Sequence, residues 1–267
     1  MPTSQADKAQ AFTALHAGET FVVPNPWDAG SAKVFAALGF EALATTSSAF
    51  AFTLGRHDGE ATLDELISHV EALATATDLP LSVDLENGFG REPSDAAQAI
   101  TRAAGAGAVG GSIEDFDPEA AEIYEVGLAA ERITAAREAA DLLDFEFTLT
   151  GRAENQIRGN PDLDDTIKRL RAYEEAGADV LYAPGLRDAA EIRAVCDAVS
   201  KPVNVLGHRR LSIPEIAAAG GKRVSVGGGL AWVAIGSMAE AAEQMLTNGD
   251  LSGLAGRVPV DDWLDAR

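Results

Sequence analysis

The chain has little of what most often marks a reactive protein. Its 267 residues include one cysteine and four histidines, so no disulfide can form within the chain and no His/Cys cluster suggests zinc. Cys196 sits at helical spacing from Ile192 in the run Ala190 to Cys196, which reads as a buried thiol rather than a nucleophile. Lysine is confined to Lys8, Lys33, Lys168, Lys201 and Lys222, and 21 basic against 42 acidic residues leave a net charge of -21. That balance argues against nucleic acid and anionic membrane as partners, because counterion release needs clustered cations. The acidity itself reads as a solvated surface. No apolar run reaches the roughly 18 residues of a membrane span. Met1 to His16 lacks the basic segment and apolar stretch of a secretory signal, so the expected location is the cytoplasm.

What is present is a globular composition, 46% apolar and 24% charged, arranged as a repeat of strand and helix. Eight β-rich runs recur: Thr20 to Val23, Ala42 to Thr45, Leu81 to Val83, Val109 to Ile113, Phe145 to Leu149, Val180 to Tyr182, Val203 to Leu206 and Val224 to Val226. Alanine-rich segments of helical period separate them, among them Leu63 to Ala76, Ser94 to Ala104, Ala129 to Leu143 and Leu163 to Ala176. Several end in a glycine C-cap, as in Ala176-Gly177-Ala178-Asp179. Eight units of about 33 residues fit an α/β fold made of one closed (β/α)8 TIM barrel, typically about 250 residues long. A dinucleotide-binding open sheet is disfavoured, since Pro24-Asn25-Pro26-Trp27-Asp28 follows the first strand in place of its glycine-rich turn. The expectation is a single barrel domain over 1–267, with about 231–267 as C-terminal helix and tail.

Barrel chemistry gathers at the C-terminal ends of strands. Those ends read Trp27 and Asp28, Thr46 to Ser48, Asp84 and Glu86, Glu114 and Asp115, Arg152 and Glu154, Tyr182, Asn204, and Gly227 to Gly229. Asp84 and Glu86, two apart in Asp84-Leu85-Glu86-Asn87-Gly88-Phe89-Gly90, point the same way from a strand, and paired carboxylates repel unless a cation or proton joins them. With Glu114 they form an oxygen donor set suited to Mg2+ or Mn2+. Arg152 is placed to clamp a substrate carboxylate. Each signal has a plainer reading: Arg152 as ion-pair partner of Glu86 or Glu114, Glu154 as a cap or pair, Trp27 as packing.

Pro24 to Asp28, Thr45-Thr46-Ser47-Ser48, Gly55-Arg56-His57-Asp58, Asp84 to Gly90, Ile113-Glu114-Asp115 and Gly151-Arg152-Ala153-Glu154, in this order, resemble the isocitrate lyase and phosphoenolpyruvate mutase superfamily. The resemblance implies a barrel enzyme binding Mg2+ and a small 2-oxo acid. Asp84 would be the principal metal ligand, with Asp58, Glu86 and Glu114 holding metal-bound waters. Thr46, Ser47 and Ser48 would meet the substrate carboxylate and Arg152 its other end, with Trp27 and Asn204 as further substrate-binding candidates. The resemblance also implies a homo-oligomer, dimer or tetramer, in which the last helix is swapped between subunits.

The loop after the fourth strand departs from the family. Isocitrate and methylisocitrate lyases carry a cysteine there, and carbon-phosphorus enzymes a lysine. Here it runs Phe116-Asp117-Pro118-Glu119-Ala120-Ala121-Glu122-Ile123-Tyr124-Glu125, with neither. The reading is therefore a Mg2+-dependent lyase or decarboxylase for a 2-oxo acid of the oxaloacetate type, acting through an enolate, with Arg152 and Glu114 in the catalytic set and water or Tyr124 as proton source. The alternatives are a carbon-carbon lyase of a substituted malate or methylisocitrate-like acid, with Glu122 or Tyr124 replacing the cysteine; an oxaloacetate hydrolase; a phosphonopyruvate-type enzyme; and a non-catalytic 2-oxo acid binder.

Overall fold

In the computed structural model, which describes residues 3–254, 256 and 258–265, ten strands and eleven helices alternate. The strands are β1 Phe21–Val23, β2 Leu43–Ala44, β3 Leu81–Asp84, β4 Gly110–Glu114, β5 Phe116–Asp117, β6 Glu122–Ile123, β7 Thr148–Arg152, β8 Val180–Tyr182, β9 Val203–Leu206 and β10 Arg223–Ser225. The helices are α1 Gln5–Ala17, α2 Ala29–Ala37, α3 Ser47–Thr53, α4 Leu63–Ala76, α5 Pro93–Gly105, α6 Val126–Asp141, α7 Leu163–Glu175, α8 Ala189–Ala198, α9 Ile213–Ala218, α10 Gly229–Asn248 and α11 Val260–Asp265.

Eight strands form one parallel sheet in the order β1-β10-β9-β8-β7-β4-β3-β2. Ala44 N–H donates to the Pro24 carbonyl at 3.1 Å and joins the two edge strands, giving the expected (β/α)8 barrel. The helices follow from local rules. Thr62 and Glu65 form a capping box that starts α4, whose Leu66, Val70 and Leu73 fall on one buried face. Pro93 occupies the first turn of α5, and its buried Ala96, Ala99, Ala103 and Ala104 are small enough to let α6 approach closely.

The apolar core lies between strands and helices. A second cluster of Ala9, Phe12, Phe21, Val23, Ala42 and Val109 plugs the N-terminal end under α1. Phe12 meets Phe21 edge to face at 6.4 Å and His16 at 4.8 Å. Inside the barrel the usual branched aliphatics give way to polar side chains: Ser82, Thr150, Asn204, Ser225 and Arg223 are all buried.

Four features differ from the sequence expectation. β7 begins at Thr148, three residues beyond Phe145, because Phe145 packs against the barrel plug instead of entering the ladder. α1 escaped notice because its buried positions, Lys8, Ala9 and Phe12, make only a faint apolar stripe. The segment after β4 folds into the β5–β6 hairpin, too short to show a period of two. The short α3 and α11 were also missed. The last long helix begins at Gly229 and buries only Ala231, while Leu230, Trp232, Val233, Met238, Met245 and Leu246 are exposed. Among the described residues no helix is long and apolar enough to cross a membrane.

Candidate active site

The sheet register brings the chemistry-bearing residues to one rim. Asp84 lies opposite Ser112, Glu114 opposite Arg152, Arg152 opposite Tyr182, and Tyr182 opposite Asn204. A cavity of about 330 Å³ opens there, and Thr46, Ser47, Ser48, Asp84, Arg152 and Asn204 all line it. A smaller cavity of about 130 Å³ adjoins it, lined by Glu86, Glu114, Phe116 and Arg158; Ser47, Asp58 and Arg152 face both.

Arg152 is the hub. Its Nη1 lies 3.3 Å from both Asp84 Oδ1 and Glu114 Oε2, and its Nε donates to Glu154 Oε1 at 2.6 Å. Arg158 Nε donates to Glu154 Oε2 at 2.9 Å, and its guanidinium lies 3.8 Å over the Phe116 ring. Burial works against the Arg152 charge, but Glu114, Glu154 and Asp84 outweigh it and hold the guanidinium well above its ordinary range. Arg152 is thus an ion-pair partner, as the plainer reading had it, although with Asp84, Glu114 and Glu154 and without Glu86.

Acid still exceeds base. Among the described residues, Asp58, Asp84, Glu86, Glu114 and Glu154 gather at this rim against Arg152 and Arg158. Burial, followed by repulsion from Asp84 and Asp58, pushes Glu86 up to about 8. Burial also raises Glu114 well above the usual carboxylate range against the pull of Arg152, and raises Asp58. Such a cluster takes up protons or a cation. Among the described residues no three acidic or imidazole side chains converge as direct ligands. Asp84, with Asp58, Glu86 and Glu114 near it, supplies the oxygen donors that could hold a hydrated hard cation at this rim.

Local backbone geometry sets these positions. Glu86 has φ +48°, so its alignment with Asp84 comes from a left-handed residue after the strand, not from strand alternation. Its N–H points to Asp84 Oδ1 at 3.3 Å, and Ser47 N–H, in the first turn of α3, points to Asp84 Oδ2 at 3.4 Å. Thr45 Oγ1 accepts from Asp84 N–H at 2.8 Å.

Two candidates stay outside the cavity. Trp27 packs edge to face on Phe35 at 6.3 Å. The Tyr124 hydroxyl accepts from Asn87 Nδ2 at 3.1 Å, and its ring lies under the guanidinium of Arg132 at 4.7 Å. The reason is the hairpin: Tyr124 N–H bonds to Asp115 O at 2.8 Å, and the side chain turns toward Asn87 and toward Arg132 of α6. Asp28 caps α2.

Sequence reasoning left three contributors without a role. Asp115 accepts from Glu154 N–H at 2.7 Å, from Arg169 Nη1 at 3.0 Å and from the Tyr173 hydroxyl, and so fixes the strand end that presents Glu154. Arg158 and Arg223 are the others. For Arg223 a signal existed, since the alternation of Arg223 and Ser225 puts both on the inner face.

A family model described as phosphoenolpyruvate phosphomutase matches residues 12–246. The chain belongs to the isocitrate lyase and phosphoenolpyruvate mutase superfamily. Within this superfamily it is 30% identical to probable 2-methylisocitrate lyase 2 of Corynebacterium glutamicum over 76% of this chain and 66% of that protein. It is 29% identical to oxaloacetate decarboxylase 2 of Pseudomonas fluorescens over 84% of this chain and 79% of that protein. A crystal structure from Burkholderia cenocepacia J2315, described as a candidate lyase/mutase, superposes with a TM-score of 0.94 at 50% identity, covering 98% of this chain and 97% of that one. Both of these curated relatives, the 2-methylisocitrate lyase and the oxaloacetate decarboxylase, are named for breaking a carbon-carbon bond.

Proposed function

We propose that this superfamily member is a Mg2+-dependent decarboxylase of a small 2-oxo dicarboxylic acid of the oxaloacetate type. The observation that carries the reading is the carboxylate cluster around Asp84, facing Arg152, beside a hairpin that holds neither cysteine nor lysine. Mg2+, when bound, supplies Lewis-acid polarisation of the 2-oxo group. The chain's own residues do the rest. Asp84, with Asp58, Glu86 and Glu114 behind it, fixes where that positive charge sits. Arg152, locked by Glu114 and Glu154, orients the 2-oxo acid and faces the oxygen on which negative charge grows as the carbon-carbon bond breaks.

The electron pair of the broken bond passes to the 2-oxo oxygen, CO2 leaves, and one proton taken up at carbon 3 yields pyruvate. Solvent in the cavity supplies that proton, because Tyr124 is turned away. Asp117 accepts from Glu119 and Ala120 N–H at 3.0 and 3.2 Å and pairs with Arg91 at 2.6 Å, which favours a closed hairpin turn over a reactive lid.

The test is pyruvate and CO2 release from oxaloacetate with Mg2+, abolished by chelation. Release of acetate and oxalate would instead assign hydrolysis. A rate no higher than that of Mg2+ alone would sink the enzymatic reading.

The exposed apolar face of α10 supports a homo-oligomer in which this helix is covered by a second copy. The double substitution Val233→Glu and Met238→Glu is expected to release monomers in sedimentation velocity. A monomeric unsubstituted protein at micromolar concentration refutes the assembly.

A further inference from the structure

Arg223 is a buried cation without an anion. It opens β10, in register with Asn204 of β9, and is 5% exposed. Its Nε donates to Asn204 Oδ1 at 2.9 Å, its Nη2 to Thr150 Oγ1 at 3.0 Å, and its Nη1 lies 3.4 Å from His16 Nε2. A guanidinium carries five N–H groups, so one on each terminal nitrogen remains uncommitted. Among the described residues no carboxylate pairs with it. The rim acids are engaged with Arg152 and Arg158 instead.

The surroundings supply no hidden counter-charge. Below, burial followed by the Arg223 charge pulls His16 down to about 3, so its ring is neutral, and the next residue, Lys222, is another cation. Beside it, burial pushes Tyr182 up to about 12, so that phenol is neutral as well. Burial lowers Arg223 itself only to about 10, which keeps it charged at neutral pH. An unpaired buried charge is costly and persists where something completes it.

The cavity that Arg223 itself lines opens at the rim. Ser82 and Ser112, where a barrel ordinarily places branched aliphatics, leave the axis hollow, and the main cavity reaches from Asp84 and Arg152 at the rim down to Arg223. The two cations along this shaft are unequal. Arg152 is shared among three carboxylates, and Arg223 has none.

We infer that Arg223 is a specificity-determining residue that receives the distal carboxylate of a 2-oxo dicarboxylate at the floor of the active-site cavity. The inference rests on the proposed function and deepens it. A 2-oxo monocarboxylate held at the metal end leaves Arg223 unpaired, whereas a dicarboxylate completes it with two charge-assisted hydrogen bonds.

The experiment is isothermal titration of the full chain with Mg2+, comparing oxalate, which fills only the metal end, with 3,3-difluorooxaloacetate, which adds the distal carboxylate. In R223Q the second ligand is expected to bind about 30-fold more weakly while oxalate changes less than about threefold. R223K keeps the charge but loses the fork, so it should show a smaller loss confined to the dicarboxylate, and it decides the matter where R223Q does not fold. Equal weakening of both ligands, or no change for either, assigns Arg223 to the barrel framework and overturns the inference. Failure of the unsubstituted protein to bind oxalate with Mg2+ strikes the proposed function instead.

Discussion

Asp84→Ala is expected to lower kcat/KM for Mg2+-dependent decarboxylation by at least about a thousandfold, because it removes the charge on which the ion site is centred. Asp84 is the acidic group that the α3 amide, the Glu86 amide and Arg152 all address. Without it, Asp58, Glu86 and Glu114 lose the direct ligand around which they would arrange water. Asp84→Asn removes the charge at nearly constant shape, its one amide oxygen still able to accept from either Ser47 or Glu86 N–H. If the carboxylate holds the ion, Asn is nearly as inactive as Ala; if Asp84 merely braces the turn, Asn restores most of the rate. Arg152 keeps Glu114 and Glu154 in either variant, so the fold survives. The measurements are steady-state kinetics and a Mg2+ titration. Retention of Mg2+-dependent turnover within tenfold by the alanine variant refutes the assignment.

Arg152→Met is expected to damage stability as well as activity. Asp84, Glu114 and Glu154 would then share a buried rim without the guanidinium that bridges them, and breaking a buried pair from one side costs about 3–5 kcal/mol. For a chain of this size that corresponds to a fall in Tm of roughly 10 °C. The pH dependence has a definite sign. Glu114 holds its proton in the folded state at pH values where the unfolded chain has released it, so its contribution is fully present at low pH and is lost as pH rises through the folded value. Removing Arg152 takes away the main force opposing that upward shift. Glu86, pushed up to about 8 with Arg152 among the groups that lower it, shares this sign and sets the window: the Tm of the variant should rise as pH falls from 8 to 6, more steeply than that of the unsubstituted protein. Calorimetry at pH 6, 7 and 8 measures it. A variant melting within 2 °C of the unsubstituted protein at pH 8 contradicts the account.

The barrel was legible because its signals are local. Short β-branched runs, alanine-rich helical segments and glycine C-caps repeat at a constant interval, and each depends on residues within a few positions of one another. Where local signal faded, the reading failed: the two-residue strands of the hairpin have no measurable period, and Phe145 looks like a strand residue although it packs against the barrel plug. The acids at the strand ends were equally legible, since a carboxylate closing an apolar run stands out against its neighbours. Tyr124 was misplaced because a side chain's direction on a loop depends on one long-range backbone bond, here to Asp115.

The sequence by itself determined the α/β alternation, the eight-strand count, the carboxylate set at the strand ends and the lack of a cysteine or lysine after the fourth strand. Tertiary structure decided which of those groups meet. It joined Arg152 to Asp84, Glu114 and Glu154 across three strands, withdrew Trp27 and Tyr124, and brought Arg223 onto the axis of the barrel without a counter-ion. The physical reason is that strand register and closure fix distances between residues dozens of positions apart. The charge state of a buried group depends on those distances and on the water excluded around it, which no neighbour in the chain encodes.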